Sequence, residues 1–134
     1  MKTYKILTSF IILSLVFGAI FSAELLAMGR KPKVFSITVR VDFGPAGKPV
    51  HEQALDIEKG TTPKEAVSQI FPVLSGKACC SFREILAIDG VRVDPAKNRW
   101  WICLINGSKK HVSPNKTRLK LGDRLEWKYI EDLQ

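Results

Sequence analysis

The stretch RWWICLING, Arg99–Gly107, sets two adjacent tryptophans in an unbroken apolar run that closes on an Asn-Gly pair. It reads as a strand. Successive side chains on a strand face opposite ways. Trp101, Cys103 and Ile105 therefore form one face, and Trp100, Ile102 and Leu104 the other. A strand apolar on both faces is expected to lie centrally in its sheet or to be covered on both sides. Asn106–Gly107 is a strong turn signal. One tryptophan belongs to the core. The other forms either a second buried layer or a surface that receives something.

Working outward, VFSITVRVDF (Val34–Phe43) alternates without a fault. Phe35, Ile37, Val39, Val41 and Phe43 face one way, and Ser36, Thr38, Arg40 and Asp42 the other, as in a half-buried strand. GPAGK supplies turn residues. PVHEQALDI then reads as a returning strand with Leu55 and Ile57 inward. Next comes a helix start: Thr62 as N-cap, Pro63 at the first helical position and Glu65 completing a capping box. Ala66, Val67, Ile70 and Phe71 recur at helical spacing as one apolar stripe, and Pro72 is expected to end the helix. SFREILAIDGVRVDP reads as a strand with a turn at Asp89–Gly90. RLEWKYI alternates Leu125, Trp127 and Tyr129 with Arg124, Glu126 and Lys128, a last half-exposed strand. Strand, strand, helix and then two or three strands predict an α+β domain of the β-grasp kind, with one amphipathic helix packed on a small mixed sheet.

The chain has 134 residues, 21 Lys and Arg against 13 Asp and Glu, and a formal charge of +8. That length allows one domain with an appendage. The appendage is N-terminal. Lys2 and Lys5 precede an apolar run from Ile6 to Ala23, the layout of a secretory signal peptide. The run is long, and no Ala-x-Ala site ends it. Residues 1–27 are thus either a cleaved signal or a retained anchor, residues 28–33 are a basic linker, and residues 34–134 are the domain. Loss of residues 1–27 removes Lys2, Lys5 and Glu24 and leaves +7. The expected location is extracytoplasmic, with membrane contact only through a retained N-terminal segment. Nucleic acid is not an expected partner there.

Cys79, Cys80 and Cys103 are three thiols in the exported part, an odd number. In an oxidising compartment Cys79 or Cys80 paired with Cys103 is the natural proposal. A redox dithiol usually has two residues between its cysteines and sits at a helix N-terminus. Cys79–Cys80 has neither feature.

The run ITVRVDFG, the capped helix, ILAIDGV, WWICLING and LKLGDRLEWKY together resemble the transcobalamin-like C-terminal domain family. Its bacterial members are mostly exported β-grasp domains of unknown function. The resemblance covers about Val34–Ile130, and rests most on the aromatic strand and the closing LGDRLEW. In the animal cobalamin carriers the domain is the smaller half of a two-domain clamp around a corrinoid. Carried onto this chain, that implies a ligand-facing surface of Trp100, Trp101, Leu104, Asn106 and Gly107, with Ser108–Ser113 as the adjoining loop. This chain has no α-barrel half, so half of any such clamp is missing from it.

The structural reading of the tryptophan pair packs Trp101 on the helix and sets Trp100 on the sheet's other face, beside Trp127 or Tyr129. The functional reading makes Trp100 part of an aromatic patch that receives an apolar ligand. His111, beside Lys109 and Lys110, reads as a solvated residue more readily than as a ligand to a metal or to a corrinoid cobalt. No His, Cys and carboxylate cluster has metal-ligand spacing. No nucleophile–base pair or phosphate loop stands out, so no enzyme is expected and no cofactor is required. The expected function is a ligand-binding module that stacks a small molecule, a corrinoid by the resemblance, on Trp100. Asn106, Lys109, Lys110 and His111 would set its orientation. The alternative is an envelope module that meets another protein and takes no small ligand.

Overall fold

The computed structural model describes residues 32–76 and 84–132. The apolar N-terminal run and the cysteines at 79 and 80 lie outside the described residues. In chain order the elements are β1 (Val34–Asp42), β2 (His51–Glu58), the helix α1 (Pro63–Ser68), β3 (Val73–Ser75), β4 (Ile85–Ile88), β5 (Val91–Arg92), β6 (Arg99–Ile105) and β7 (Arg124–Glu131). Among the described residues the architecture is mostly β, in two sheets with little helix. One sheet has the order β2-β1-β7-β6 and the other β3-β4-β5.

In the larger sheet β1 pairs antiparallel with β2, from Val34 opposite Glu58 to Val41 opposite His51. Its other edge pairs parallel with β7, from Thr38 opposite Arg124 to Asp42 opposite Lys128. β6 then runs antiparallel to β7, from Arg99 opposite Glu131 to Ile105 opposite Leu125. The alternation read in β1 holds: Ile37, Val39 and Val41 are buried. They share the inner face with Ile57, Leu125, Trp127, Tyr129, Trp101 and Cys103. Phe43, just past β1, stands edge-on to Phe71 at 5.8 Å and to Trp101 at 5.7 Å. These are the T-shaped contacts that ring quadrupoles favour.

Two strands take places in the sheet that their patterns alone do not fix. β7 keeps the alternation read for it, with Leu125, Trp127 and Tyr129 buried between the less buried Arg124, Glu126 and Lys128, and it sits between β1 and β6. β6, apolar on both faces and therefore expected to be central or covered on both sides, lies at the sheet edge, with Leu104 of its outer face 8% exposed. Its free edge is closed by a loop: the Val112 N–H donates to the Cys103 carbonyl at 2.9 Å, and the Cys103 N–H donates to His111 Nδ1 at 3.0 Å. Covering an edge in this way leaves no open row of main-chain groups at that point.

The helix is shorter than the stripe implied. Its capping box is complete, with the Glu65 N–H donating to Thr62 Oγ1 and the Thr62 N–H to Glu65 Oε2 at 2.7 Å. Regular helix stops at Ser68. The N–H groups of Gln69 and Ile70 then bond three residues back, to Ala66 and Val67. This is the tightened last turn that often closes a helix, and the residue before Pro72 is steered away from helical geometry. Ile70 and Phe71 still pack on the core, from the turn rather than from the helix. Pro72 leads directly into β3, a strand the sequence pattern did not announce. Asp89 and Gly90, both at positive φ, form the tight corner between β4 and β5.

Candidate functional site

The two tryptophans go to opposite sides of β6. Trp101 is 2% exposed, donates from Nε1 to the Val91 carbonyl at 2.9 Å, and tilts against Tyr129 with ring centroids 5.2 Å apart. Its indole is consumed by the core, which removes it from the expected ligand-facing residues. Trp127 and Tyr129 accompany Trp101 on that inner face, because Cys103 lies opposite Trp127 and Trp101 opposite Tyr129. They do not neighbour Trp100.

Trp100, Ile102 and Leu104 lie on the outer face. Trp100 is half-buried, and its Nε1 donates to Asn98 Oδ1 at 2.8 Å. Across the strand pair it stands opposite Ile130. Leu104, at the other end of the strip, is 8% exposed. Beside this apolar strip runs a band of ion pairs. Arg40 reaches Glu52 at 3.1 Å and Glu126 at 3.2 Å, Arg124 reaches Glu52 at 3.4 Å, and Lys128 reaches Glu126 at 3.4 Å. The outer face thus offers flat apolar area at the β6 edge and charge toward its middle.

The turn after β6 is built for shape. Asn106 and Gly107 both take positive φ, the backbone an Asn-Gly corner adopts most easily. The Asn106 side chain is engaged at both ends: Nδ2 donates to Asp123 Oδ1 at 2.9 Å, and Oδ1 accepts the Arg124 N–H at 2.8 Å. It ties the turn to the start of β7. Lys109 and Lys110 follow on the exposed loop.

His111, read from the sequence as solvated, is partly buried and serves the backbone. Because Nδ1 accepts the Cys103 N–H, that nitrogen carries no proton. Burial pushes the imidazole below its ordinary value, against the pull of the Glu84 carboxylate. Glu84 is 7% exposed and accepts from Ser113 Oγ at 3.4 Å and from Asn115 Nδ2. The sequence reading passed over this carboxylate, since a single Glu before an apolar strand carries no periodic signal; only the fold brings it under the loop of His111, Ser113 and Asn115. Cys103 is a free, fully buried thiol, so the expected disulfide with Cys79 or Cys80 is not formed here. Burial pushes its pKa far up, the opposite of what a reactive thiol needs. Among the described residues no group of three or more His, Cys, Asp or Glu could hold a metal ion. Among them, too, no helix is long and apolar enough to cross a membrane.

Residues 80–131 match a family described as a domain of unknown function, DUF4430. No curated protein matches the chain. Among solved structures, the chain is similar to haptocorrin in a crystal structure of its complex with Cbi, with a TM-score of 0.62 and 12% identity. That match covers 78% of this chain and 27% of haptocorrin, so the chain spans about a quarter of that protein's length. It is also similar to a candidate metal-binding protein from Ruminococcus gnavus ATCC 29149, with a TM-score of 0.52 and 22% identity over 74% of this chain and 99% of that one. At such identities the likeness is one of fold, and the fold is transcobalamin-like.

Proposed function

We propose that the chain is an extracytoplasmic, non-catalytic ligand-binding module of β-grasp type, spanning residues 34–134. Residues 1–27 export it or anchor it, and residues 28–33 are the linker. The ligand stacks on the outer face of β6 at Trp100, with Leu104 beneath its far end. Gly107, Lys109 and Lys110 border the site from the loop. Asn106 and His111 contribute indirectly, by holding the turn and the loop in place. A corrinoid is the ligand class to try first, since the fold likeness extends to haptocorrin with Cbi bound.

The observation that carries this reading is the apolar strip of Trp100, Ile102 and Ile130 on a sheet face otherwise given to ion pairs. A half-buried indole beside aliphatic side chains supplies apolar area and a polar edge to a flat ligand. The second reading, an envelope module that meets another protein, uses the same strip, which would then be one side of an interface.

Equilibrium dialysis of the full-length chain against cobinamide and cobalamin, read by corrinoid absorbance, tests the first reading. Saturable retention that is lost in Trp100→Ala and kept in Trp100→Phe supports it. No retention of either corrinoid removes the ligand class, and retention unchanged in Trp100→Ala removes the site.

A further inference from the structure

A concavity lies where β1 begins, and it shares no residue with the β6 face. It is a cleft of about 390 Å³ lined by Lys33, Val34, Phe35, Lys59, Leu119, Lys120 and Leu121. That volume falls within the range of small-molecule sites. Phe35 is half-buried and Leu119 is 3% exposed, so the floor is continuous with the core. Val34 is 54% exposed and Leu121 76%, an unusual pair of aliphatic side chains left standing at one lip.

The walls are tied before anything binds. The Lys59 N–H donates to the Lys33 carbonyl at 2.9 Å, Leu119 N–H to the Thr61 carbonyl at 3.0 Å, and Gly122 N–H to the Ser36 carbonyl at 3.1 Å. The Lys120 N–H donates to Asp123 Oδ2 at 2.8 Å, which holds the turn that presents Leu121. A preformed cleft spares a ligand the ordering cost of building one.

The charge pattern names the ligand. Arg40, Lys48, Lys97, Arg99, Arg124 and Lys128 are all paired with carboxylates. Lys33, Lys59 and Lys120 form no ion pair among the described residues, nor do Lys64, Arg92, Lys109, Lys110, Lys116 and Arg118; what sets the first three apart is that they line one apolar cleft. Three unpaired cations around an apolar floor match a molecule with an anionic head and an apolar body. We infer that this cleft binds a small anionic amphiphile, with its carboxylate or phosphate head held by Lys33, Lys59 and Lys120. Its apolar body lies on Phe35 and Leu119, between Val34 and Leu121. Stem methylenes of the lysines extend the apolar wall while their heads stay in water.

Calorimetric titration of the full-length chain with decanoate and with decyl phosphate, below their micellar concentrations, tests the inference. Decyltrimethylammonium is the same-length cation, and phosphatidylglycerol vesicles test a lipid surface. Both free anions are expected to bind saturably and the cation not to bind. Lys59→Glu with Lys120→Glu is expected to weaken binding about tenfold or more. Lys97→Glu with Lys116→Glu, the same change of charge on lysines outside the cleft, is expected to leave it unaltered. Leu121→Asp, at a side chain too exposed to matter for folding, is expected to weaken binding as well. Equal affinity for the cation overturns the inference. So does indifference to the Lys59 and Lys120 reversals, which is what uptake by the apolar N-terminal run would produce. Binding to vesicles without binding to either free amphiphile also overturns it.

Discussion

At Gly44 the chain takes φ +40°, and a Cβ built there would lie 2.2 Å from the Tyr129 carbonyl oxygen. That oxygen belongs to the backbone of β7, an interior strand of the larger sheet. Gly44→Ala is therefore expected to destabilise the domain by about 1–3 kcal/mol, strain being added to a lost close approach. Urea denaturation checks it, and an unchanged midpoint would show that the β1–β2 connection yields. The two core indoles also differ in a measurable way. Trp101 gives its N–H to the Val91 carbonyl, whereas the Trp127 N–H, fully buried, has no acceptor among the described residues. Replacement by Phe removes similar volume at both. It takes a hydrogen bond from one site and an uncompensated donor from the other. Trp101→Phe is expected to cost the more, by about 1 kcal/mol. Equal losses would mean that ring volume alone decides.

At the scale of an element, β6 shows how an edge strand is finished by a single side chain. Nδ1 of His111 accepts the Cys103 N–H only while unprotonated. Because burial lowers the native pKa beneath the ordinary 6.5, the unfolded chain takes up a proton first as pH falls. The stabilisation is thus whole above 6.5 and is lost as pH drops from there through the lower native value. The groups that bear on this are Glu84, whose charge opposes the shift, and the Cys103 amide. Urea midpoints between pH 7.5 and 5.5 are expected to decline in the wild type. In His111→Gln they are expected to be lower but flatter. A parallel decline in both would assign the slope to other groups.

For the whole molecule, the inner face joins residues from β1, β2, α1, β6 and β7 into one core. Nothing short of disassembling that core exposes Cys103. Alkylation of Cys103, followed at its own peptide by mass spectrometry, is expected to proceed at the rate of global unfolding and to carry its full denaturant dependence. Labelling in water at the rate of an open thiol would show that β6 detaches alone, and the strand would then be a gate rather than a wall.

The sequence by itself determined most of the strands, β3 excepted, and the buried face of those that alternate, because strand periodicity is written residue by residue. Ile37, Val39 and Val41 in β1, and Leu125, Trp127 and Tyr129 in β7, were legible for that reason. So were the Thr62–Glu65 cap and the Asn106–Gly107 turn, whose chemistry is local. Strand order was not legible, since pairing joins residues as distant as Thr38 and Arg124. A doubly apolar strand therefore stood at an edge, and an alternating one in the middle. The candidate sites divide in the same way. Trp100 and Trp101 were visible as a pair, but only the sheet decided that the inner one is spent on the core. The cleft of Lys33, Lys59 and Lys120 draws on three separate segments, and Glu84 meets His111 only when the loop folds back. Contacts between distant parts of a chain leave no local pattern, so tertiary structure alone could make them.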